Sequence, residues 1–160
     1  LQDPTSNPLE LADIKSKDGW RVDLRETTTP NWVGEKGLSH PTVFAGVLYV
    51  TTYTPPTGAA VAPGTCPPPA EGSARLYGLN YLSGAGIVDL DGSGGIDRFV
   101  EIGGGIPSEV VVVSRESGTT AIVGTSGGAS VGSGGGGCTE PFCFKFPDNV
   151  SRIPTFWHDD

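Results

Sequence analysis

A short acidic run in the middle of the chain carries oxygen-bearing side chains at the spacing of a calcium loop. Asp89, Asp91, Ser93 and Asp97 occupy positions 1, 3, 5 and 9 of this run, and Gly95 can add its carbonyl oxygen at position 7. Ca²⁺ takes six to eight oxygen ligands at about 2.3–2.6 Å, and an EF-hand loop supplies them with this spacing. We therefore predict a calcium site with these five residues as its ligands.

Other positions of the run both support and limit this prediction. Gly94 at position 6 allows a sharp turn, and Ile96 occupies position 8, as an EF-hand-type loop requires. Position 12, in contrast, is Val100 rather than a bidentate glutamate, and Glu101 follows one residue late. The flanking sequences alternate like strands, so we expect a structural calcium loop of weak affinity, placed between β elements. A solvated acidic loop without a metal is the alternative.

Short strand-like segments recur along the chain and are separated by Gly and Pro turns. They lie at residues 20–24, 42–45, 47–53, 74–80, 97–101, 109–114, 119–125 and 152–157. Such spacing is typical of all-β sandwiches and propellers, and no long amphipathic stretch with helical periodicity interrupts it. We therefore predict an all-β fold of antiparallel strands.

Length and composition favour one domain with long loops. A chain of 160 residues suits a single domain, which we place at residues 19–160, after a polar extension or linker at residues 1–18. The 25 glycines and 14 prolines make up about a quarter of the chain. They are concentrated at residues 54–73 and 124–137, which we expect to be surface loops.

Charge and the length of the apolar runs argue against two classes of partner, nucleic acids and the membrane interior. The net charge is −8, with ten Lys and Arg in total and no basic cluster, so we expect no nucleic-acid binding. No apolar run approaches the 18 residues of a transmembrane helix, so we expect no membrane span. The acidity instead favours cations.

Cysteine and methionine usage points to an oxidising, extracellular location. Cys66, Cys138 and Cys143 lie in loop-like segments without zinc spacing, so they are disulfide candidates. The pairing can join Cys138 to Cys143, or Cys66 to one of the two, and the odd number leaves one thiol over. The chain has no methionine, so we expect Leu1 to be a processed or excised start.

A serine motif raises the alternative of a secreted hydrolase. Ser126 is the centre of a G-x-S-x-G sequence at residues 124–128, and His40 or His158 could serve as the base. A nucleophile elbow requires a strand, a tight turn and a helix, whereas a glycine-rich segment follows here. We therefore favour a surface loop and expect the protein not to be an enzyme.

Six short motifs follow one another in an order seen in a known family. They are GWRVDL at residues 19–24, GEKGLSHPTVF at 34–44, LYVTTYTP at 48–55, LYGLN at 76–80, GGIPS at 104–108 and FW at 156–157. In this order the chain resembles the C-terminal part of the PilC/PilY1 family of type IV pilus proteins, over roughly residues 19–160.

The resemblance implies a fold, a location and partners. It implies a modified β-propeller on a secreted or cell-surface bacterial protein that supports pilus assembly, counteracts retraction and mediates adhesion. Members of the family use calcium loops of the type found here, so the implied ligands are the same five residues. The implied partners are the pilus, through a minor pilin, and other chains of the same propeller.

The number of predicted strands is too small for a whole propeller. Eight strands make about two blades, whereas propellers have four to eight blades of four strands. Open sheet edges pair with whatever fits them, so we expect the chain to be part of a larger propeller or to assemble with copies of itself. The alternative function is therefore a subunit of an extracellular filament or multi-chain assembly formed through open β-sheet edges.

Overall fold

The computed structural model describes residues 19–24, 33–56, 71–91, 94–115, 118–127 and 143–145. This part of the chain contains strands, bridges and turns but no helix, and therefore no helix able to span a membrane. The described strands are β1 (Lys36–Gly37), β2 (Thr42–Phe44), β3 (Val47–Thr54), β4 (Ser73–Asn80), β5 (Phe99–Gly104), β6 (Val111–Arg115), β7 (Gly118–Ile122) and β8 (Cys143–Lys145). The prediction of an all-β fold is confirmed.

The strands form two antiparallel sheets. The larger sheet has the order β1-β3-β4-β5, and β2 pairs with the same edge of β3 as β1 does. The smaller sheet has the order β6-β7-β8. Neither sheet closes on itself within the described residues, so this part of the chain displays two open antiparallel sheets.

Both predicted hairpins form close to the expected positions. Strands β2 and β3 are joined by a two-residue turn, in which Ala45 has a φ of 50° and Gly46 a φ of 82°. Positive φ at both central residues is the type I′ pattern that matches the twist of a hairpin. Strands β6 and β7 pair from Val111↔Ile122 to Arg115↔Gly118, as the apolar runs on either side predict.

Other strand predictions need correction or lie outside the described part. Residues 20–24 were predicted as a strand, but only Trp20 makes a bridge, while its indole N–H donates to the Tyr81 carbonyl at 3.0 Å. The predicted strand at 97–101 begins at Phe99 and continues to Gly104, because Asp97 belongs to an isolated bridge. Residues 152–157 are outside the described residues.

The core lies on one face of the larger sheet. Its buried apolar residues come from β3, β4, β5, the segment before β5, and β7 with the residues that flank the smaller sheet: Val47, Tyr49, Ala74, Leu76, Val88, Leu90, Ile102, Val110, Ala121 and Val123. Gly78 leaves room for this packing, since a Cβ there would lie 3.1 Å from Leu90 Cδ2. Burial raises the pKa of the Tyr49 hydroxyl, which stays neutral within this core.

The opposite face of the larger sheet holds a buried carboxylate. The Glu35 side chain is 0% exposed, and its Oε1 accepts hydrogen bonds from Thr52 Oγ1 at 2.6 Å and Tyr77 OH at 2.8 Å. Its Oε2 lies 3.0 Å from Arg75 Nη1. Burial, together with the Glu35 charge, raises the pKa of Tyr77, so this hydroxyl remains a donor.

Arg75 extends this network toward the edge strand β5. Its Nη2 lies 3.4 Å from Glu101 Oε1, and its guanidinium carbon lies 4.7 Å from the centroid of the Phe99 ring. The Arg75 side chain is only 12% exposed, whereas that of Glu101 is 65% exposed. The Glu35–Arg75 pair is therefore the buried part of the network and the Glu101–Arg75 pair its solvated part.

Replacing Glu35 with Gln should destabilise the fold far more than replacing Glu101 with Gln. The first change removes the charge that compensates a nearly buried guanidinium, and breaking a buried pair costs about 3–5 kcal/mol. The second change affects a solvated pair and should cost less than about 1 kcal/mol. Urea unfolding of both variants measures the difference, and equal losses would contradict this account of the network.

Candidate metal site

The acidic run lies in a loop between β4 and β5, as the alternating flanks predict. The loop is closed by an antiparallel bridge between Val88 and Asp97, in which the Asp97 N–H donates to the Val88 carbonyl at 3.0 Å. Leu90, two residues inside this bridge, is 1% exposed and belongs to the core, so the loop is also anchored by apolar packing.

Three of the predicted ligands converge in this loop. One carboxylate oxygen from each of Asp89, Asp91 and Asp97 lies within 4.8 Å of the others. Two oxygens bound to the same Ca²⁺ can be up to about 5 Å apart, twice the usual metal–oxygen distance. The three carboxylates can therefore reach one ion. Asp91 is exposed and Asp97 is partly buried, so the ion would sit at the surface.

Backbone hydrogen bonds orient two of these carboxylates. Asp89 Oδ2 accepts the Gly94 N–H at 2.8 Å, which spans the loop. Asp97 Oδ2 accepts the Leu90 N–H at 3.1 Å, which ties this carboxylate to the anchored part of the loop. An ionised carboxylate has two oxygens with several acceptor sites, so these bonds leave capacity for a metal.

Of the remaining positions of the loop pattern, some lie within the described residues and one does not. Gly94 has a φ of 89° and thus supplies the turn that the pattern requires at position 6. Gly95 is exposed in the loop, and Ser93 lies outside the described residues. Glu101, which follows position 12 of the run by one residue, is on β5 and contacts Arg75.

The donor set defines the kind of ion that would fit. Three carboxylates and a backbone carbonyl are hard oxygen ligands, which suit hard divalent cations such as Ca²⁺ and Mg²⁺. The group contains no His or Cys, the ligands that zinc prefers. The arrangement could therefore hold a metal ion of the hard class.

The residues considered for catalysis or for disulfide bonds lie away from the acidic loop or outside the described residues. Ser126 joins the segment after β7 to the segment after β5, because its Oγ accepts the Ile106 N–H at 2.8 Å and its N–H donates to the Ile106 carbonyl at 3.0 Å. His40 is exposed, with Nδ1 3.9 Å from Glu109 Oε2. His158, Cys66 and Cys138 lie outside the described residues, and Cys143 is described only as the first residue of β8.

Sequence reasoning missed the part that Leu90 plays in the site. The only local signal is an apolar residue between two aspartates, which is also compatible with a solvated loop. The buried Glu35 network was missed as well, because one glutamate in the polar segment Gly34-Glu35-Lys36-Gly37 gives no sign of burial.

Comparison with known proteins gives no relative: no family model, curated protein or solved structure matches the chain. The resemblance to the PilC/PilY1 family therefore stays a prediction that rests on the ordered motifs.

Replacing Asp91 with Asn should raise the melting temperature when metal is removed with EDTA. Three carboxylates within 4.8 Å repel one another, and Asn keeps the shape while removing one charge. For solvated charges the gain is below about 1 kcal/mol, or roughly 1–3 °C for a chain of this size.

A matched control separates this local effect from the overall acidity. Glu109→Gln removes one exposed charge outside the loop, near His40, and should change the melting temperature less than Asp91→Asn does. A lower melting temperature for Asp91→Asn in EDTA, measured by differential scanning calorimetry, would contradict repulsion within the triad.

Proposed function

We propose that this chain is a calcium-binding, structural and non-catalytic domain of an extracellular protein associated with type IV pili. The observation that carries the metal part of this proposal is the convergence of Asp89, Asp91 and Asp97 in a loop anchored to the core. The pilus part is carried by the ordered sequence motifs.

The spacing of the loop in the sequence supports calcium rather than magnesium as the proposed ion. Mg²⁺ demands a near-ideal octahedral shell at about 2.0–2.1 Å and keeps several waters, whereas Ca²⁺ accepts six to eight oxygens in flexible arrangements. The loop offers three carboxylates and the Gly95 carbonyl at EF-hand spacing, with the turn at Gly94 already in place. The Ser93 hydroxyl and water would complete the shell.

The role of the ion would be to offset the repulsion among the three carboxylates of the loop that connects β4 to β5. When bound, it supplies two positive charges and holds the three carboxylates together. Asp97 lies two residues before β5, and its bridge partner Val88 follows β4 after residues 81–87. Holding the carboxylates together therefore fixes the approach of these two strands. The loop would thereby stabilise the domain, because ion binding to the folded state alone favours that state.

The wider context follows from the family resemblance. We infer a modified β-propeller to which this chain contributes about two blades, located on the bacterial cell surface. The two open antiparallel sheets are compatible with such a portion. Its partners would be a minor pilin of the pilus and the other strands of the propeller.

A subunit of a multi-chain extracellular assembly is the second candidate. Within the described residues, β1 and β5 end the order of the larger sheet, and β6 and β8 end that of the smaller one. Unpaired strand edges are templates for pairing with another chain. Light scattering after size exclusion decides between the two: we expect a concentration-dependent oligomer for the second candidate, and a stable, well-folded monomer would exclude it.

Calcium should raise the melting temperature of the wild-type chain, and Asp89→Ala or Asp97→Ala should abolish this response. At a calcium concentration about a hundredfold above the Kd, linkage gives about 2.7 kcal/mol, or roughly 5–10 °C for this size. Magnesium at the same concentration should give a smaller rise. Differential scanning calorimetry with and without EDTA measures these shifts.

The control for this experiment is an acidic residue outside the loop. Glu109→Ala removes a carboxylate near His40 and should keep the full response to calcium. If Asp89→Ala and Asp97→Ala melt with unchanged calcium shifts, the metal site is refuted, whatever the pilus context.

A further inference from the structure

A cleft of about 490 Å³ opens at one end of the larger sheet, on the face that carries the Glu35 network. It lies where β3 ends, β4 begins and β5 ends. Its walls include the residues Val33, Pro55, Pro56, Glu71, Arg75 and Glu101. The volume is within the range of about 300–1,000 Å³ that is typical of small-ligand sites, and is large enough for a long side chain.

The charges around this cleft are unbalanced. Arg75 brings one positive charge, which is already engaged by the buried Glu35 at 3.0 Å and by Glu101 at 3.4 Å. Among the described residues, Glu71 and Glu101 line the cleft as carboxylates and Arg75 as the one cation, whose charge the buried Glu35 behind it already offsets. The described lining therefore carries an excess of negative charge, which suits a cation.

The Glu71 carboxylate has a defined position at the cleft. A Cβ on Gly104 would lie 2.7 Å from Glu71 Oε2, and one on Gly127 would lie 2.5 Å from it. Glycine at both positions leaves the space that Glu71 Oε2 occupies. The two glycines are also joined by a hydrogen bond from the Gly127 N–H to the Gly104 carbonyl at 3.2 Å. One oxygen of the carboxylate is thus seated against backbone, while the residue as a whole is exposed.

A second, independent observation is an unsatisfied hydroxyl in the wall. Thr54 lines the cleft as a partly buried residue, and its Oγ1 atom is inaccessible to solvent and has no hydrogen-bond partner among the described residues. Buried polar atoms without partners are uncommon in folded proteins and often mark a place that a ligand or water completes.

We propose that this cleft binds the side chain of an arginine from a partner polypeptide. The guanidinium would pair with Glu71 and with the acceptor capacity of Glu101 that Arg75 does not use, since a carboxylate accepts several hydrogen bonds. Val33, Pro55 and Pro56 would cover the aliphatic stem. Arginine fits better than lysine because its planar fork can bridge two carboxylates. This site is separate from the metal loop and does not depend on it.

The test is an NMR titration of the ¹⁵N-labelled full chain, in EDTA, with Nα-acetyl-L-arginine methylamide. The neutral isostere, the corresponding citrulline compound, is the matched ligand control. We expect the arginine compound to shift the amide signals of residues 71–75 and 101–104 and to bind at least about fivefold more tightly than citrulline, the effect of one exposed ion pair.

Two variants assign the effect to the cleft. Glu71→Gln should weaken binding of the arginine compound roughly fivefold, and Glu109→Gln, which lies outside the cleft, should leave it unchanged. Equal binding of citrulline, shifts confined to other residues, or full affinity in Glu71→Gln would each overturn the proposal. If Glu71→Gln disturbs the fold, wild-type affinity in 50 and 500 mM NaCl decides instead: no loss at high salt rules out an ion pair.

Discussion

Strand β4 is buried on both of its faces, and the two candidate sites depend on this constraint. Ala74 and Leu76 are 0% exposed on the apolar side, where they meet the core. Arg75 and Tyr77 point to the other side, where Glu35 receives hydrogen bonds from both. A strand buried on two faces and paired on two edges has little freedom to shift, because a slip by one residue would exchange its faces. Placing Arg75 in the core would leave its charge without compensation.

The metal loop takes its precision from the same strand. Leu90 packs over Gly78 of β4, which can accept it only because glycine has no side chain there. With Leu90 fixed, its N–H holds the Asp97 carboxylate, and the bridge from Asp97 to Val88 closes the loop. The three carboxylates are therefore brought together by apolar packing. In the absence of a cation, the packing of Leu90 in the core has to offset the electrostatic repulsion among them.

Some of this arrangement could be predicted from the sequence, and the rest could not, for physical reasons. The β2–β3 hairpin and β4 follow from alternation and from glycine at the turn, which are local signals. The close approach of Asp89, Asp91 and Asp97 follows from their spacing, which is also local. The predicted strand at 20–24 was wrong, because alternation cannot show whether a partner strand is within reach. The burial of Glu35 depends on Arg75, forty positions away in the chain, and no local pattern encodes such a pairing.

The metal loop and the arginine cleft share strand β5 but should respond to their ligands almost independently. Asp97 precedes β5, and Glu101 lies within it, four residues further along the chain. At about 3.3 Å per residue this places the two groups roughly 13 Å apart along the strand. This distance exceeds the Debye length of about 8 Å at physiological salt, so the charge of a bound cation is largely screened at the cleft. Any coupling would have to pass through the position of β5 on β4, which the pairs Tyr77↔Phe99 and Arg75↔Glu101 define. Since β4 is held from both faces, ligation of the loop should order the start of β5 without moving its end.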